Sequence, residues 1–282
     1  MTALTETQTP AEVSAIVNFH KGLIPNEKPF TYAYPHDRPT NHTLDKRLVR
    51  IRDIRGREDE FSLDVHGFQV YKHESAISEF LTDTEFLDEE KITTVYYREI
   101  EELLKAVTSA YKVVPFSHKI RRHVYGPDTV IPTGPSLMVH IDQTDETARS
   151  MIKAAAGEKA EETLKGRCQI INVWRPIGQA VEDCPLAVSD FRTIPEETLV
   201  PIDVFMRELI FEGWHVAYSD KIRFYYQSRI NPGEVYLIKC FDNNTEGRAR
   251  YSAHTAFHDP NTPENAQPRR SIEVRCFVFS HE

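Results

Sequence analysis

A histidine and an aspartate separated by one residue, His140-Ile-Asp142, lie in the apolar run Ser136-Leu-Met-Val-His-Ile-Asp. On a strand this spacing puts imidazole and carboxylate on one face, where both can reach one metal ion. The triplet alone carries little weight, because 12 His in 282 residues with Asp at ordinary frequency supply roughly 0.7 such triplets by chance. Its company carries more. A second strand-like histidine follows in Tyr251-Ser-Ala-His254-Thr-Ala-Phe257, and after it comes an arginine-bearing terminal strand, Pro268-Arg269-Arg270-Ser271-Ile-Glu-Val-Arg275. That order suggests an iron site.

Two imidazoles and one carboxylate on one face, with open positions opposite, make the facial triad of a non-haem Fe(II) centre that leaves room for a cosubstrate and O2. The candidate ligands are His140, Asp142 and His254. The plainer reading of His140 taken alone is a satisfied histidine on a half-buried strand. His258 competes with His254, but His258-Asp-Pro opens a Pro/Asn-rich loop, which suits a turn residue better than a fixed ligand. On the last strand Arg269, Ser271, Glu273 and Arg275 share one face, and Ile272, Val274, Cys276 and Val278 the other, so Arg270 points away from the polar set. A guanidinium fork there could bind the carboxylate of an acidic cosubstrate, and Arg269 or Arg275 with Ser271 is expected to do so. The competing reading is cross-strand ion pairing of Glu273 and Arg275 on an exposed face.

Positioning such residues requires strands, and strand signals dominate. Leu48–Ile54, Gly67–Tyr71, Val113–Phe116, Ser136–Ile141, Cys168–Ile177, Pro185–Ser189, Ile222–Tyr226, Glu234–Phe241, Tyr251–Phe257 and Ser271–Phe279 read as strands. Ile100, Leu103, Leu104, Val107 and Tyr111 recur at helical spacing, and helical inserts are expected at Asp145–Leu164 and Pro201–Leu209. From Thr5 to about Thr43 the chain is polar and proline-bearing, and reads as an irregular arm draped over the core. The expected organisation is one domain over 1–282: an arm over 1–45, an α+β flank over 46–111, and a β core with helical inserts over 112–282.

Composition narrows the function further. A net charge of -9 without a Lys/Arg block argues against nucleic acid or an anionic membrane surface and for a small-molecule substrate. Cys168, Cys184, Cys240 and Cys276 are dispersed, which indicates neither a zinc ribbon nor a disulfide scaffold. No signal peptide and no run of 18 apolar residues is visible, so a cytoplasmic protein is expected, with a homo-oligomer as an open option. G-x-S-x-G, H-E-x-x-H, P-loop and Rossmann signatures are absent.

Three stretches carry a family likeness: Asn172-Val-Trp-Arg-Pro-Ile with Val181-Glu-Asp-Cys-Pro-Leu-Ala-Val-Ser-Asp190, His254-Thr-Ala-Phe-His-Asp-Pro260, and Pro268 to Arg275. Through them the chain resembles the fungal and bacterial hydroxylase/desaturase group that includes gibberellin desaturase and is related to the cephem methoxylase subunit. The resemblance implies a mainly β fold with flanking helices, a jelly-roll, cupin-like double-stranded β-helix. It also implies Fe(II), with 2-oxoglutarate and O2 as cosubstrates, and the iron ligands His140, Asp142 and His254. The implied reaction abstracts hydrogen from an unactivated C–H bond of a secondary metabolite or its precursor, giving hydroxylation, desaturation or oxidative ring formation. Substrate selection is expected of Tyr125, Trp174 and the arm's aromatics, although a strand tryptophan is more often core. Two other readings stand beside it: a cupin-like metal isomerase or hydrolase using His118, His123 and His140, and a non-catalytic partner of another biosynthetic enzyme.

Overall fold

Val13, Ala15, Val17 and Phe19 are buried at every second position of β1 (Glu12–Lys21), the signature of a strand with one face on a core. This corrects the expectation of irregular backbone before Thr43: the alternation is present in the sequence but is embedded in a proline-bearing stretch. The computed structural model describes residues 12–22, 27–82, 88–122 and 134–281. After β1 come β2 (Phe30–Tyr32), β3 (Thr43–Asp53), β4 (Phe68–Lys72), β5 (Lys112–Arg122), β6 (His140–Ile141) and β7 (Arg167–Pro176). The remaining strands are β8 (Leu186–Ser189), β9 (Leu199–Phe205), β10 (Ile210–Val216), β11 (Phe224–Tyr226), β12 (Glu234–Asp242), β13 (His254–Ala256) and β14 (Arg270–Ser280).

These strands form two facing sheets, a nine-stranded one ordered β1-β3-β11-β8-β13-β6-β10-β9-β2 and a five-stranded one ordered β4-β12-β7-β14-β5. The large sheet curls, because its first strand returns to bridge Met138 and Ala217 through Asn18 and His20. The result is the expected jelly-roll double-stranded β-helix. Apolar side chains from both sheets meet in one cluster around Phe19, Ile141, Ile170, Phe241 and Phe277, and in a second around Phe68, Trp174, Val188 and Tyr236. The outer face of the small sheet is covered by helix. Ile100, Leu103 and Leu104 of the helix Tyr97–Thr108 bury against Ile272, Val274, Cys276 and Val278, each such side chain contributing about 1.5–3 kcal/mol. The face division expected for the last strand is therefore present.

Pro201–Leu209 is not a helix. Its first half lies in β9, where Pro201 pairs with Trp214, and the rest turns into β10. β2 pairs only with Asp203–Phe205, so on that side nothing requires a donor at Pro201. The Asp145–Leu164 insert does form, as helix Asp145–Ala156 and two short turns after it. One irregularity bears on the interior: Ser117 faces Arg275 while Pro115 faces Cys276, so Phe116 is an extra, bulged residue of β5.

Candidate metal centre

His140 on β6 and His254 on β13 are direct partners across the ladder, with ring centroids 4.4 Å apart. Each ring is fixed from behind. His140 Nδ1 donates to the Met138 carbonyl at 2.7 Å, and His254 Nδ1 donates to the Ser252 carbonyl at 3.1 Å. With Nδ1 carrying the proton, each Nε2 keeps its lone pair for a metal, the arrangement usual behind a ligating imidazole.

Asp142 completes the group. Its Oδ1 lies 3.5 Å from His140 Nε2 and 3.9 Å from His254 Nε2, and the three donor atoms lie within 4.8 Å of one another. The other oxygen is engaged: Oδ2 accepts from Asn172 Nδ2 at 2.9 Å and from Arg275 Nε at 2.9 Å. These two donors come from the small sheet, where Asn172 of β7 and Arg275 of β14 are direct partners. The carboxylate thus reaches from the large sheet, is held by the small one, and presents one oxygen inward. Gly213 of β10 allows this approach, since a Cβ there would sit 2.9 Å from the Asp142 carbonyl oxygen.

Burial would raise the Asp142 carboxyl, but Arg275 and the two imidazoles outweigh it and hold the group well below the usual carboxylate range. Burial and the neighbouring His140 push the His254 imidazole down to about 4, against the pull of Asp142. These balances favour a neutral His254 beside an ionised Asp142, the state in which each can ligate a divalent iron. The donor set fits Fe(II).

A narrow cleft opens beside the histidines, bordered by Arg121, Trp174, Leu186, Arg269 and Glu273. Arg269 and Arg275 differ in occupancy. Arg275 is committed to Asp142 and, through Nη2 at 2.6 Å, to Glu273. Arg269 is 3% exposed, gives Nη1 to the Cys184 carbonyl at 2.6 Å, and leaves Nε without a hydrogen-bond partner among the described residues. Burial, together with the neighbouring Arg121 cation, pulls its guanidinium down to about 10 against the opposing pull of Cys184, Asp183 and Glu273. Ser271 Oγ is likewise buried without a partner. Trp174, 2% exposed, lies beneath the Arg269 guanidinium at 5.4 Å, so it is both core and cleft wall.

Other sequence candidates fall elsewhere. His118 is taken up by Tyr97 Oη at 3.0 Å and Glu89 at 3.1 Å on the helical side of the sheet, away from the triad. His258 is exposed. Tyr125 and His123 lie outside the described residues. Sequence reasoning missed Asn172, Arg121 and Gly213; only the sheet register, which pairs Asn172 with Arg275 and Arg121 with Ser271, would have found the first two. A larger groove of about 310 Å³ by Arg50, Arg52, Tyr218 and Arg223 is lined by none of the triad residues.

A family model described as "Oxidoreductase/YMDC permease-like domain" matches residues 17–279. No helix among the described residues is long and apolar enough to cross a membrane. The hydroxylase/desaturase efuI of Hormonema carpetanum is 33% identical over 82% of this chain and 83% of its own. The Fe(II)/2-oxoglutarate-dependent dioxygenase nvfI of Aspergillus novofumigatus is 34% identical over 87% of both. Among solved structures, the iron and alpha-ketoglutarate-dependent endoperoxidase NvfI superposes with a TM-score of 0.85 at 32% identity, covering 96% of this chain and 99% of that one. These likenesses agree with a site built from two imidazoles and a one-oxygen carboxylate, and the chain belongs to the Fe(II)/2-oxoglutarate-dependent dioxygenases of the hydroxylase/desaturase type.

Proposed function

We propose that His140 Nε2, Asp142 Oδ1 and His254 Nε2 hold the iron, that Arg269 with Ser271 binds the far carboxylate of 2-oxoglutarate, and that a small secondary metabolite or its precursor is oxidised in the cleft beside Trp174. The observation that carries this reading is the contrast between the two arginines: Arg275 already spends its charge on Asp142 and Glu273, whereas Arg269 is buried with an Nε that has no hydrogen-bond partner among the described residues. A dicarboxylate would give that buried cation its counter-charge and give Ser271 Oγ a partner. With its cosubstrates bound, the iron supplies an oxidant strong enough to take hydrogen from an unactivated C–H bond, leading to hydroxylation, desaturation or ring closure. The protein's share is positional. The Met138 and Ser252 carbonyls fix the imidazoles, Asn172 and Arg275 aim the carboxylate, and Trp174 and Leu186 present apolar surface beside the reacting position.

Anaerobic Fe(II) and 2-oxoglutarate should together give a weak visible charge-transfer band. Arg269→Leu should raise the 2-oxoglutarate needed for half-development of that band by about 10–100-fold, the worth of a charge-assisted fork. A wild-type titration curve in that variant would remove Arg269 from the cosubstrate site. We further read the chain as one domain acting on small molecules in the cytoplasm, a placement supported by four buried, unpaired thiols. Self-association is supported by the exposed apolar pair Ile16 and Leu48, 52% and 66% accessible and opposite one another on β1 and β3. Imaging of the tagged protein and its sedimentation would test the two; an extracytoplasmic signal or a strict monomer would refute them.

A further inference from the structure

His20, His42 and His215 converge on one point although they lie far apart in the chain. His20 ends β1, His42 directly precedes β3, and His215 lies on β10. Their ring centroids are 5.2 Å, 5.8 Å and 4.8 Å apart, and one nitrogen from each lies within 4.8 Å of the others. His20 is 2% exposed and His215 7%. Both ring nitrogens of His20, both of His42 and Nδ1 of His215 are buried without a hydrogen-bond partner among the described residues. Buried polar nitrogens are ordinarily satisfied, and five orphans gathered in one spot point to a shared partner that takes one nitrogen from each ring.

We propose that these three imidazoles form a second metal site, separate from the iron centre, for a divalent transition cation of the kind that favours nitrogen ligands, zinc above all. Three neutral imidazoles with a fourth position left to water is an established zinc environment, and one ion engages three lone pairs at once. The rings are held in the neutral form that ligation needs, burial pushing His42 down to about 4 and lowering His20 as well. The scaffold behind them is fixed. Asn41, next to His42, bonds the Phe30 amide at 2.7 Å and the Lys28 carbonyl at 3.0 Å, while His20 bridges Ala217 at the end of β10. An ion here ties β1 and the turn before β3 to β10, on which His215 is the direct ladder partner of the iron-site residue His140.

The test is Co(II) binding by tag-free, metal-stripped full-length protein, read as equivalents retained per chain after gel filtration. Wild type should retain two equivalents and His42→Ala one, with the iron–2-oxoglutarate band of that variant unchanged. The double variant His140→Ala/His254→Ala should also retain one, and the combined triple variant none. Circular dichroism of the metal-free forms controls for folding, and His20→Gln repeats the experiment from another wall of the site. One equivalent in wild type, or two in folded His42→Ala and His20→Gln, would overturn the proposal and leave the trio as a water-filled histidine pocket.

Discussion

Two groups of ionisable ligand residues sit on neighbouring strands of the same sheet, and they are built on opposite principles. The His140–Asp142–His254 group contains an anion, and every member has a partner behind it: two carbonyls, an amide and a guanidinium. The His20–His42–His215 group contains no carboxylate, and among the described residues the ring nitrogens of His20 and His42 have no close hydrogen bond behind them. The contrast separates two ways of preparing a site: the first is oriented by hydrogen bonds before any ion arrives, the second mainly by burial.

The comparison breaks most sharply at the ligands. His254→Ala should abolish iron retention while His258→Ala leaves it intact, as measured by metal content after anaerobic loading; the reverse would reassign the distal ligand. The supporting shell comes next. Arg275→Leu should weaken Fe(II) binding by about 10–100-fold, with Asn172→Ala toward the lower end of that range, whereas neither should affect the histidine trio. Wild-type iron affinity in both variants would mean that Asp142 needs no orientation. Gly213→Ala probes the same carboxylate through the backbone: the added methyl must displace the Asp142 carbonyl, costing about 1–3 kcal/mol in denaturant unfolding and lowering iron affinity. An unchanged unfolding midpoint would show that the two strands separate freely.

The smallest effect is a pH slope. The His42 imidazole is pushed from 6.5 to about 4 in the folded protein, so between those values the unfolded chain binds the extra proton and the folded one does not. Stability of the metal-free protein is then full above about 6.5 and falls on acidification toward 4, by at most about 1.4 kcal/mol per pH unit for this ring. His42→Asn should flatten that slope in urea titrations at pH 7 and pH 5. An equal slope in both proteins would mean that His42 is more solvated than its burial indicates.

Legibility in the sequence followed locality. His140 and Asp142 are two residues apart, so strand geometry alone places them together, and the sorting of β14 into a polar and an apolar face follows from the same rule. Asn172 beside Asp142 could not be seen, because their contact depends on which residue of β7 lies opposite Arg275, and register is set by the whole sheet. The trio was invisible for the same reason, its members standing at 20, 42 and 215. Pro201 misled by standing where a helix could begin, although Ile202 and Val204 already alternate as a strand does. The choice between Arg269 and Arg275 needed side-chain partners, which no spacing encodes.

The bulge at Phe116 acts as a phase setter for β5. Upstream of it, Val114 faces Phe277; downstream, Ser117, Lys119 and Arg121 stand opposite Arg275, Glu273 and Ser271. Uninterrupted alternation from Val114 would instead turn His118 and Ile120 inward and expel both cations. The bulge therefore decides whether this wall of the cavity is basic or carries an imidazole and a butyl group. Drawing Phe116 into the ladder, so that every residue of β5 has its own partner, would exchange the two sets in a single step, so chains that share the iron ligands can diverge widely in the molecules they admit without altering a ligand.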